Sequence, residues 1–318
     1  MSLVEAVGLC KRFGDFTAVD DIGFTVGRGE VVGFLGPNGA GKSTTMKMLT
    51  GFLEPDEGSA RIGGHDVVRE PVAARAMLGY LPEGAPAYGE MTVADFLAFV
   101  GRMRGMGGAG LRNRMAEMVD RVHLADVWNR QVDNLSKGYK RRVGIAQALL
   151  HDPDVLILDE PTDGLDPNQK HEMRTLIRSI ASAKAIIVST HILEEVEAVC
   201  TRAIVIANGR LLADDTPTGL VSARRERPAL AVTVVRDDLE RARDALAAWA
   251  DGDIAHDEHA SLVRLRLALA ASSTAVPAEI AARLRADGLH VVAADYLQPS
   301  LEDVFREMTR EPNRAMLG

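Results

Sequence analysis

The chain has few of the features that mark secreted or membrane-spanning proteins. Its two cysteines among 318 residues, Cys10 and Cys200, fit no metal or redox spacing, so we expect two reduced thiols in a cytosolic setting. No apolar run approaches the roughly 18 to 20 residues that span a bilayer. The N-terminus lacks a basic segment followed by an apolar one, so we expect no export signal. If the protein works at a membrane, another chain must hold it there.

An excess of positive charge is also missing. The sequence has 37 lysines and arginines against 45 aspartates and glutamates, which gives a net charge of −8. This balance argues against a general nucleic-acid binder, and we expect no nucleic-acid partner. Hydrophobic residues make up 47% and charged residues 26%, as is ordinary for a globular protein, and the length suits two domains.

The most informative motif lies at residues 36–44, GPNGAGKST, which fit G-x-x-x-x-G-K-[ST]. A strand-like run precedes it and a helix-compatible run follows, which favours a phosphate-binding loop over a glycine-rich turn with a chance lysine. Backbone N–H groups would converge there on phosphate oxygens. Lys42 would reach the β- and γ-phosphates, and Ser43 would ligate Mg²⁺. The expected nucleotide ligands are Gly36, Asn38, Gly39, Gly41, Lys42, Ser43 and Thr44.

A second element is the apolar run at 155–161, VLILDEP, which ends in Asp159 and Glu160. Alone, such a run indicates a strand end that meets solvent. Paired with the phosphate loop, it predicts that Asp159 reaches the Mg²⁺ shell beside Ser43. Glu160 would lie nearer the γ-phosphate, where it could polarise an attacking water as a general base.

A third element is the segment at 135–143, LSKGYKRRV. Ser136 is typical of a helix N-cap, and small Gly138 would leave the following amides accessible to an anion. Within one chain this anion site would be redundant, because Lys42 already holds the phosphates. Alone, the segment would indicate a capped basic helix on a solvated face.

Together these elements resemble the ATP-binding subunits of ABC transporters. Residues 135–140 are similar to that family's LSGGQ signature, 159–160 to its second nucleotide motif, 164–166 to its D-loop and 189–191 to its switch histidine. The resemblance covers about residues 1–216, with the motifs in the family's order and spacing. It implies a head-to-tail homodimer that encloses two ATP molecules. Each ATP would touch the phosphate loop of one subunit and Ser136 and Gly138 of the other.

The resemblance also implies roles that single residues would not reveal. His191 would contact the γ-phosphate, Asp166 would couple the two sites across the interface, and Phe13 would stack on adenine. Alone, His191 would be taken for a buried structural histidine and Phe13 for a core residue. The catalytic set expected in this way is Lys42, Glu160 and His191. The Mg²⁺ set is Ser43, Asp159 and Glu83.

The chain departs from the family pattern at three places. Glu83 stands where the family usually has glutamine, which adds negative charge beside the triphosphate while leaving an oxygen for Mg²⁺. Lys137 and Tyr139 replace a glycine and a glutamine of the signature, and Asp163-Gly164 replaces the usual Ser-Ala pair of the D-loop. These changes bear on turnover more than on ATP binding. The Leu-Pro-Glu and Ser-Lys-Gly-Tyr variants, with residues 299–305, resemble a subgroup that serves separate permeases for drug, lipid, polysaccharide or gliding-motility export.

The pattern of segments predicts an α/β fold: a P-loop NTPase core of the ABC ATPase type with an inserted helical subdomain. We expect one mainly parallel sheet, because the strands at 155–158 and 185–188 are apolar throughout. Helices would fill most of 92–150, with residues 101–110 as a flexible connector; its methionines could instead mark a patch that faces a partner. The expected domains are 1–216 (helical subdomain about 85–150), a linker at 217–228 and a C-terminal domain at 229–318.

The C-terminal domain is expected to be a small ferredoxin-like α+β unit with a β-α-β-(β)-α-β order. Its strands would lie at 229–235, 262–269 and 290–294, with a hairpin strand near Asp253. Its helices would lie at 239–250, 276–286 and 300–308. The pattern leaves open whether this domain dimerises, regulates or only packs.

The leading functional hypothesis is an ATP-hydrolysing subunit that dimerises around two ATP and drives an integral membrane permease, in the direction of export. It would lie at the cytoplasmic face of the cell membrane, held through that permease. Helices between Thr92 and Leu124, with the segment around Glu83, would form the groove for the permease. The alternatives are a soluble ABC ATPase that acts as a switch on nucleic acid or ribosomes, and a regulatory subunit with negligible turnover. Cargo contacts would lie in the permease.

Overall fold

The computed structural model describes residues 2–85, 87–222, 229–269, 276–297 and 300–310. One compact unit ends at Pro217, and a second runs from Thr218 to Glu307. Of the expected linker, residues 217–222 are helical and residues 223–228 lie outside the described part of the chain. Among the described residues, no helix has both the length and the apolar character needed to cross a membrane.

The first unit contains a six-stranded sheet in the order β10-β9-β3-β8-β7-β6. Its strands are parallel except for the β9–β10 pair. Every residue of β3, β7 and β8 is buried, which is why these strands are apolar throughout. The strands are β3 (Val31–Leu35), β6 (Leu78–Leu81), β7 (Val155–Asp159), β8 (Ala185–Thr190), β9 (Arg202–Ala207) and β10 (Arg210–Asp215).

A second, four-stranded antiparallel sheet in the order β2-β1-β4-β5 lies in the same unit, so the prediction of a single sheet is wrong. The physical reason is visible in β1, where buried Val4 and Ala6 alternate with more exposed neighbours, as expected for a sheet with one solvated face. Phe24 of this sheet packs on Phe34 of β3, with ring centroids 5.4 Å apart. The strands are β1 (Ser2–Phe13), β2 (Phe16–Gly27), β4 (Glu57–Ile62) and β5 (His65–Asp66).

The inserted helical region contains α3 (Val93–Met103), α4 (Gly108–Arg121) and α5 (Lys137–Leu149). The predicted connector at 101–110 is shorter than expected, because α3 runs to Met103 and α4 starts at Gly108. Gly101 is a packing residue: a Cβ there would lie 2.2 Å from Cδ1 of Leu111. The glycine therefore allows two helices to approach closely rather than loosening the chain.

The remaining helices that begin in the first unit follow strands of its two sheets, and the last of them continues past the boundary at Pro217. Both cysteines are free thiols, Cys10 buried and Cys200 partly buried, and burial raises the pKa of Cys200 to about 12, so it is unreactive at neutral pH. The helices are α1 (Lys42–Leu49), α2 (Pro71–Ala76), α6 (Pro167–Ala181), α7 (Leu193–Val199) and α8 (Pro217–Ser222).

The second unit has the predicted β-α-β-β-α-β order and an antiparallel sheet in the order β12-β13-β11-β14. The expected hairpin strand is β12, and the first helix ends at Leu246 rather than at Ala250. Parts of the expected domain (270–275, 298–299 and 311–318, including Pro299) lie outside the described residues. The elements are β11 (Ala229–Val235), α9 (Leu239–Leu246), β12 (Ala255–His259), β13 (Leu262–Ala268), α10 (Pro277–Ala286), β14 (Val291–Leu297) and α11 (Leu301–Arg310).

Candidate active site

The phosphate-loop sequence connects β3 to α1, as predicted. Gly41 caps α1 with a φ of 102°, a conformation that favours glycine. A Cβ at Gly41 would lie 2.5 Å from the carbonyl oxygen of Ala18, and a Cβ at Gly36 would lie 2.6 Å from that of Ile206. The loop is therefore pressed against neighbouring backbone at both glycines. Among the described residues, no side chain caps α1, so its first-turn amides remain suited to an anion.

Lys42 lies at the first position of α1 and is 7% exposed. Its Nζ donates hydrogen bonds to the carbonyl oxygens of Gly36, at 2.8 Å, and of Pro37, at 3.2 Å. Burial lowers the pKa of Lys42, while the carboxylates of Glu160, Asp159 and Glu83 act in the opposite direction. The ammonium group is thus held within the loop and within the field of three acids.

The carboxyl ends of β7 and β8 bring the two acids of the second motif to the loop. Asp159 pairs with Ser189 in the sheet, and Ser189 Oγ donates a hydrogen bond to the buried Asp159 carboxylate. The N–H of Glu160 donates to the carbonyl oxygen of Ser189 at 3.0 Å. Glu160 has a φ of 50°, a strained value for a residue with a side chain, and such strain is common at functional sites.

His191 and Glu160 are in direct contact. Nδ1 of His191 lies 3.1 Å from Oε1 and 3.1 Å from Oε2 of Glu160. The Glu160 side chain is 12% exposed and the His191 side chain 50%, so the imidazole covers the outer side of the carboxylate. Burial raises the pKa of Glu160, and the hydrogen bond from His191 opposes that rise. A carboxylate with a raised pKa is a stronger base once it is ionised.

These side chains line a cavity of about 560 Å³, which we call the nucleotide cavity. Its volume suits a small-molecule ligand. Ten of the sequence-predicted residues line it: Phe13, Asn38, Gly39, Gly41, Lys42, Ser43, Thr44, Glu83, Glu160 and His191. Phe16, Ala18 and Asp163 line it as well and were missed. Phe16 pairs with Phe13 across the β1–β2 turn, and two exposed phenylalanines so close in sequence were the available signal.

Within the described part of the chain, five of the predicted site residues lie outside this lining: Gly36, Ser136, Gly138, Asp159 and Asp166. Ser136 caps α5, accepting from the N–H of Tyr139 at 3.4 Å. Asp166 caps α6, accepting from the N–H of Gln169 at 3.0 Å. Gly138 lies beside Gln169, where a Cβ would be 2.4 Å from Oε1. Within one chain the two predicted anion sites therefore do not line the same cavity.

The oxygen atoms near the loop suit Mg²⁺. Ser43 and Glu83 line the cavity, and Asp159 lies behind it, next to Glu160. No group of three or more His, Cys, Asp or Glu residues that could hold a metal by itself occurs among the described residues. This donor set fits Mg²⁺, which binds through one or two carboxylates and takes its other ligands from phosphates and water.

Comparison with known proteins identifies the family. The ABC transporter family profile matches residues 19–163. The chain is 35% identical over 307 residues to the daunorubicin resistance ATP-binding protein DrrA2 of Streptomyces coeruleorubidus, covering 96% of this chain and 94% of that protein. The chain belongs to the ABC transporter ATP-binding proteins. This ABC ATPase is also 39% identical over 250 residues to the Nod factor export ATP-binding protein I of Ralstonia nicotianae, covering 78% and 77% of the two chains.

Solved structures agree with this assignment. An ATP-binding subunit of an ABC transporter matches with a TM-score of 0.65 and 31% identity, over 70% of this chain and 93% of that one. The cbiO1 protein of Clostridium perfringens, part of an ABC transporter complex, matches with a TM-score of 0.63 and 27% identity, over 70% and 92%. The chain is therefore an ABC-type ATPase that binds adenine nucleotides, as the motifs predicted.

Proposed function

We propose that this ABC ATPase dimerises head to tail around two ATP molecules and uses their hydrolysis to drive a separate membrane permease in export. The observation that carries the proposal is the separation of the two anion sites within one chain. The nucleotide cavity holds Lys42, while Ser136 and Gly138 lie outside its lining. A second copy in the opposite orientation would supply the missing half to each cavity. Two relatives named for Nod factor export and daunorubicin resistance support the direction of transport.

In this proposal, ATP enters the nucleotide cavity with its adenine on Phe13 and Phe16. Both rings are exposed, at 52% and 61%, and an exposed aromatic face is suited to stacking on a base. The phosphates contact Lys42 and the amides of the loop, including those near Asn38 and Thr44. Mg²⁺, held by Ser43 and Asp159 with Glu83 nearby, would neutralise charge on the β- and γ-phosphates.

Glu160 is proposed as the general base. Its carboxylate takes a proton from the attacking water, the water oxygen bonds to the γ-phosphorus, and the bond to the leaving oxygen of ADP breaks. His191 orients the carboxylate through the 3.1 Å contact and keeps bulk water from its outer side. The remaining face of the imidazole is then suited to contact the γ-phosphate.

The partner protomer completes each site. The amides after Ser136, at the start of α5, would approach the γ-phosphate from the opposite side, since that helix N-terminus favours an anion. Gly138 has no side chain and is buried, and this lets the side chain of Gln169 pack against the start of α5. Asp166 would lie at the interface and link the two cavities, in addition to its capping bond to Gln169.

A second cavity, of about 410 Å³, supports a docking site for the permease; we call it the permease groove. Pro82 and Arg104 line it, close to the segment around Glu83 that the sequence suggested. Phe52 in its lining is 79% exposed, which is unusual for a large apolar side chain. Lys47, Arg75 and Arg104 also line the groove, so cationic residues border the apolar surface. A permease segment with an apolar side chain and an acidic neighbour would fit. The protein would thereby lie at the cytoplasmic face of the membrane.

The test is to isolate the protein with its co-purifying membrane protein and to measure ATPase activity with and without that partner. We expect the partner to stimulate hydrolysis. Phe52→Ala should lower the ratio of stimulated to unstimulated activity, whereas Val7→Ala, at an exposed apolar position on β1, should not. Hydrolysis at a rate that no co-purifying membrane protein changes would favour a soluble switch. Binding without hydrolysis would favour a regulatory subunit.

A further inference from the structure

Arg141 is a buried cation that the nucleotide site described above does not use. It lies on α5 and is 5% exposed. Its Nη1 atom is buried and has no hydrogen-bond partner among the described residues. Burying a charge without a partner is costly, so its surroundings must offset that cost.

The packing of α5 shows which surroundings these are. One turn after Arg141, Gly144 packs on the end of β6 and on the segment that follows it. A Cβ at Gly144 would lie 2.5 Å from Cδ1 of Leu81 and 3.1 Å from Cβ of Ala85. Residues three apart share a helix face, and helical side chains lean towards the N-terminus. Arg141 therefore lies on the face of α5 that meets the Leu81–Ala85 segment, which carries Glu83.

The charges around Arg141 are acidic. Burial lowers the pKa of Arg141, and four carboxylates act against that shift: Asp163, Glu160, Glu83 and Asp159, in decreasing order. Three of the four, Asp163, Glu160 and Glu83, line the nucleotide cavity. The charge of Arg141 is thus offset by the acids of the site rather than by a single ion pair.

Two of these acids are the departures from the family pattern described above. Glu83 stands in place of glutamine, and Asp163 stands in place of a small serine. Each adds a negative charge to a cavity that must accept a triphosphate, and like charges a few ångströms apart repel strongly in a partly buried site. With Glu83 and Asp163 present, the acidic charge near Lys42 is larger than it would be with glutamine and serine at these two positions.

We propose that Arg141 is the buried countercharge that allows this cavity to bind a nucleoside triphosphate beside Glu83 and Asp163. Arg141 acts as a positioning residue and lies outside the cavity lining. Its positive charge reduces the repulsion between the two carboxylates and the triphosphate. The inference rests on the nucleotide site of the proposed function. It does not depend on the dimer or on the permease.

The adjacent Arg142 provides a matched control. Its Nη2 pairs with the carboxylate of Glu172, and its Nη1 donates to the carbonyl oxygen of Val122 at 3.4 Å. Its guanidinium also lies over the ring of Tyr139, 5.5 Å from the centroid. Arg142 therefore has partners of its own, away from Glu83 and Asp163, and its removal should leave nucleotide affinity unchanged.

The experiment is a double-mutant cycle on the full chain, with the affinity for Mg²⁺ and AMP-PNP measured by calorimetry. We expect Arg141→Gln to weaken binding about tenfold, the scale of coupling between neighbouring charges, and Arg142→Gln to have little effect. Glu83→Gln in the Arg141→Gln background should restore most of the loss, and Asp163→Ser should restore part of it. A residue with only a structural role would show no such recovery.

Arg141→Met is a second variant, because an apolar chain of similar length fills the buried space without a charge. It should show the same loss and the same recovery by Glu83→Gln. Unchanged affinity in both Arg141 variants, or a loss that neither Glu83→Gln nor Asp163→Ser repairs, overturns the inference while the proposed function stands. If the cycle holds and no permease stimulation is found, the proposed function falls and the inference stands. If the parent chain does not bind AMP-PNP, both the inference and the proposed function are wrong.

Discussion

Nδ1 of His191 lies 3.1 Å from each carboxylate oxygen of Glu160. The carboxylate can only accept a hydrogen bond in its ionised form, so Nδ1 carries the donated proton and Nε2 is left for another partner. The pair joins the ends of β7 and β8, which the parallel sheet holds side by side. The proposed base and the group proposed to orient it are thereby in contact before any ligand binds.

Glu160→Gln should abolish hydrolysis while retaining ATP binding. The amide keeps the shape of the side chain but cannot take the proton of the attacking water, so we expect the ATPase rate to fall by roughly 10²–10⁴-fold. Since burial raises the pKa of Glu160 above its value in the unfolded chain, ionisation of this group at neutral pH costs the folded protein stability, and the uncharged variant should not lose thermal stability there. Glu70→Gln, which alters a surface His–Glu pair, is the control. A Glu160→Gln protein that hydrolyses ATP at the parental rate contradicts the assignment.

His191→Ala should change the pH dependence of hydrolysis. Glu160 must be ionised to act as a base, so the rate falls as the pH drops through its raised pKa. Removing His191 removes a hydrogen bond that lowers this pKa, and the acid limb of the pH–rate profile should move to higher pH. His65→Ala removes a comparable His–Glu contact, 3.1 Å long, outside the site and should leave the profile in place. If the acid limb of the profile does not move in His191→Ala, or moves to lower pH, His191 does not lower the pKa of Glu160.

Lys42→Met should weaken nucleotide binding without harming the fold. A hydrogen bond from a charged donor contributes about 1.5–3 kcal/mol, so we expect ATP affinity to fall by roughly 10- to 100-fold. Because burial lowers the pKa of Lys42, its charged form is disfavoured in the folded chain, and the variant should unfold no earlier than the parent in the absence of nucleotide. The rise in melting temperature at a fixed ATP concentration should be smaller than in the parent. Lys47→Ala, at an exposed position of the same helix, should keep that rise.

Gly79→Ala should destabilise the protein. A Cβ at this position of β6 would lie 2.2 Å from the carbonyl oxygen of Ala148 in α5. Such overpacking costs about 1–3 kcal/mol, which should lower the melting temperature by several degrees. Gly110→Ala is the matched control, because nothing lies within 4 Å of its Cβ, and alanine should stabilise α4 by about 0.5–1 kcal/mol. Equal melting temperatures for the two variants would show that β6 and α5 are not closely packed.

Much of the site follows from local sequence. The phosphate loop is contiguous, and the parallel sheet brings the end of β7 to the loop, so Ser43, Asp159 and Glu160 could be placed from their motifs. The ABC resemblance then supplied His191, Glu83 and Phe13, all three of which the structure places at the cavity.

Tertiary packing decided what the sequence did not reveal. The alternation in β1 belongs to a second sheet, and a pattern of period two does not show which sheet a strand joins. Gly101 indicated a flexible segment, but close approach to Leu111 makes it part of a helix. The run Lys140-Arg141-Arg142 indicated a solvated face, yet the middle residue is buried on a helix whose Gly144 packs against Leu81. A short stretch of sequence does not determine whether a residue is buried or which sheet a strand joins.

The central claim is that each catalytic site is shared between two protomers. Ser136→Asp tests the half that lies outside the cavity: aspartate preserves the cap of α5 and adds a negative charge that would face the partner's γ-phosphate. We expect this variant to bind ATP in its own cavity and to be inactive in hydrolysis. Ser136→Asn keeps the cap without the charge and should remain active.

The most direct measurement is the ATPase activity of a mixture of Lys42→Ala and Ser136→Asp chains, each inactive alone. In a mixed dimer one cavity combines the intact phosphate loop of one chain with the intact Ser136 of the other. We therefore expect activity to appear on mixing. A mixture that forms mixed dimers, as shown by pull-down through two different tags, yet remains inactive would contradict it.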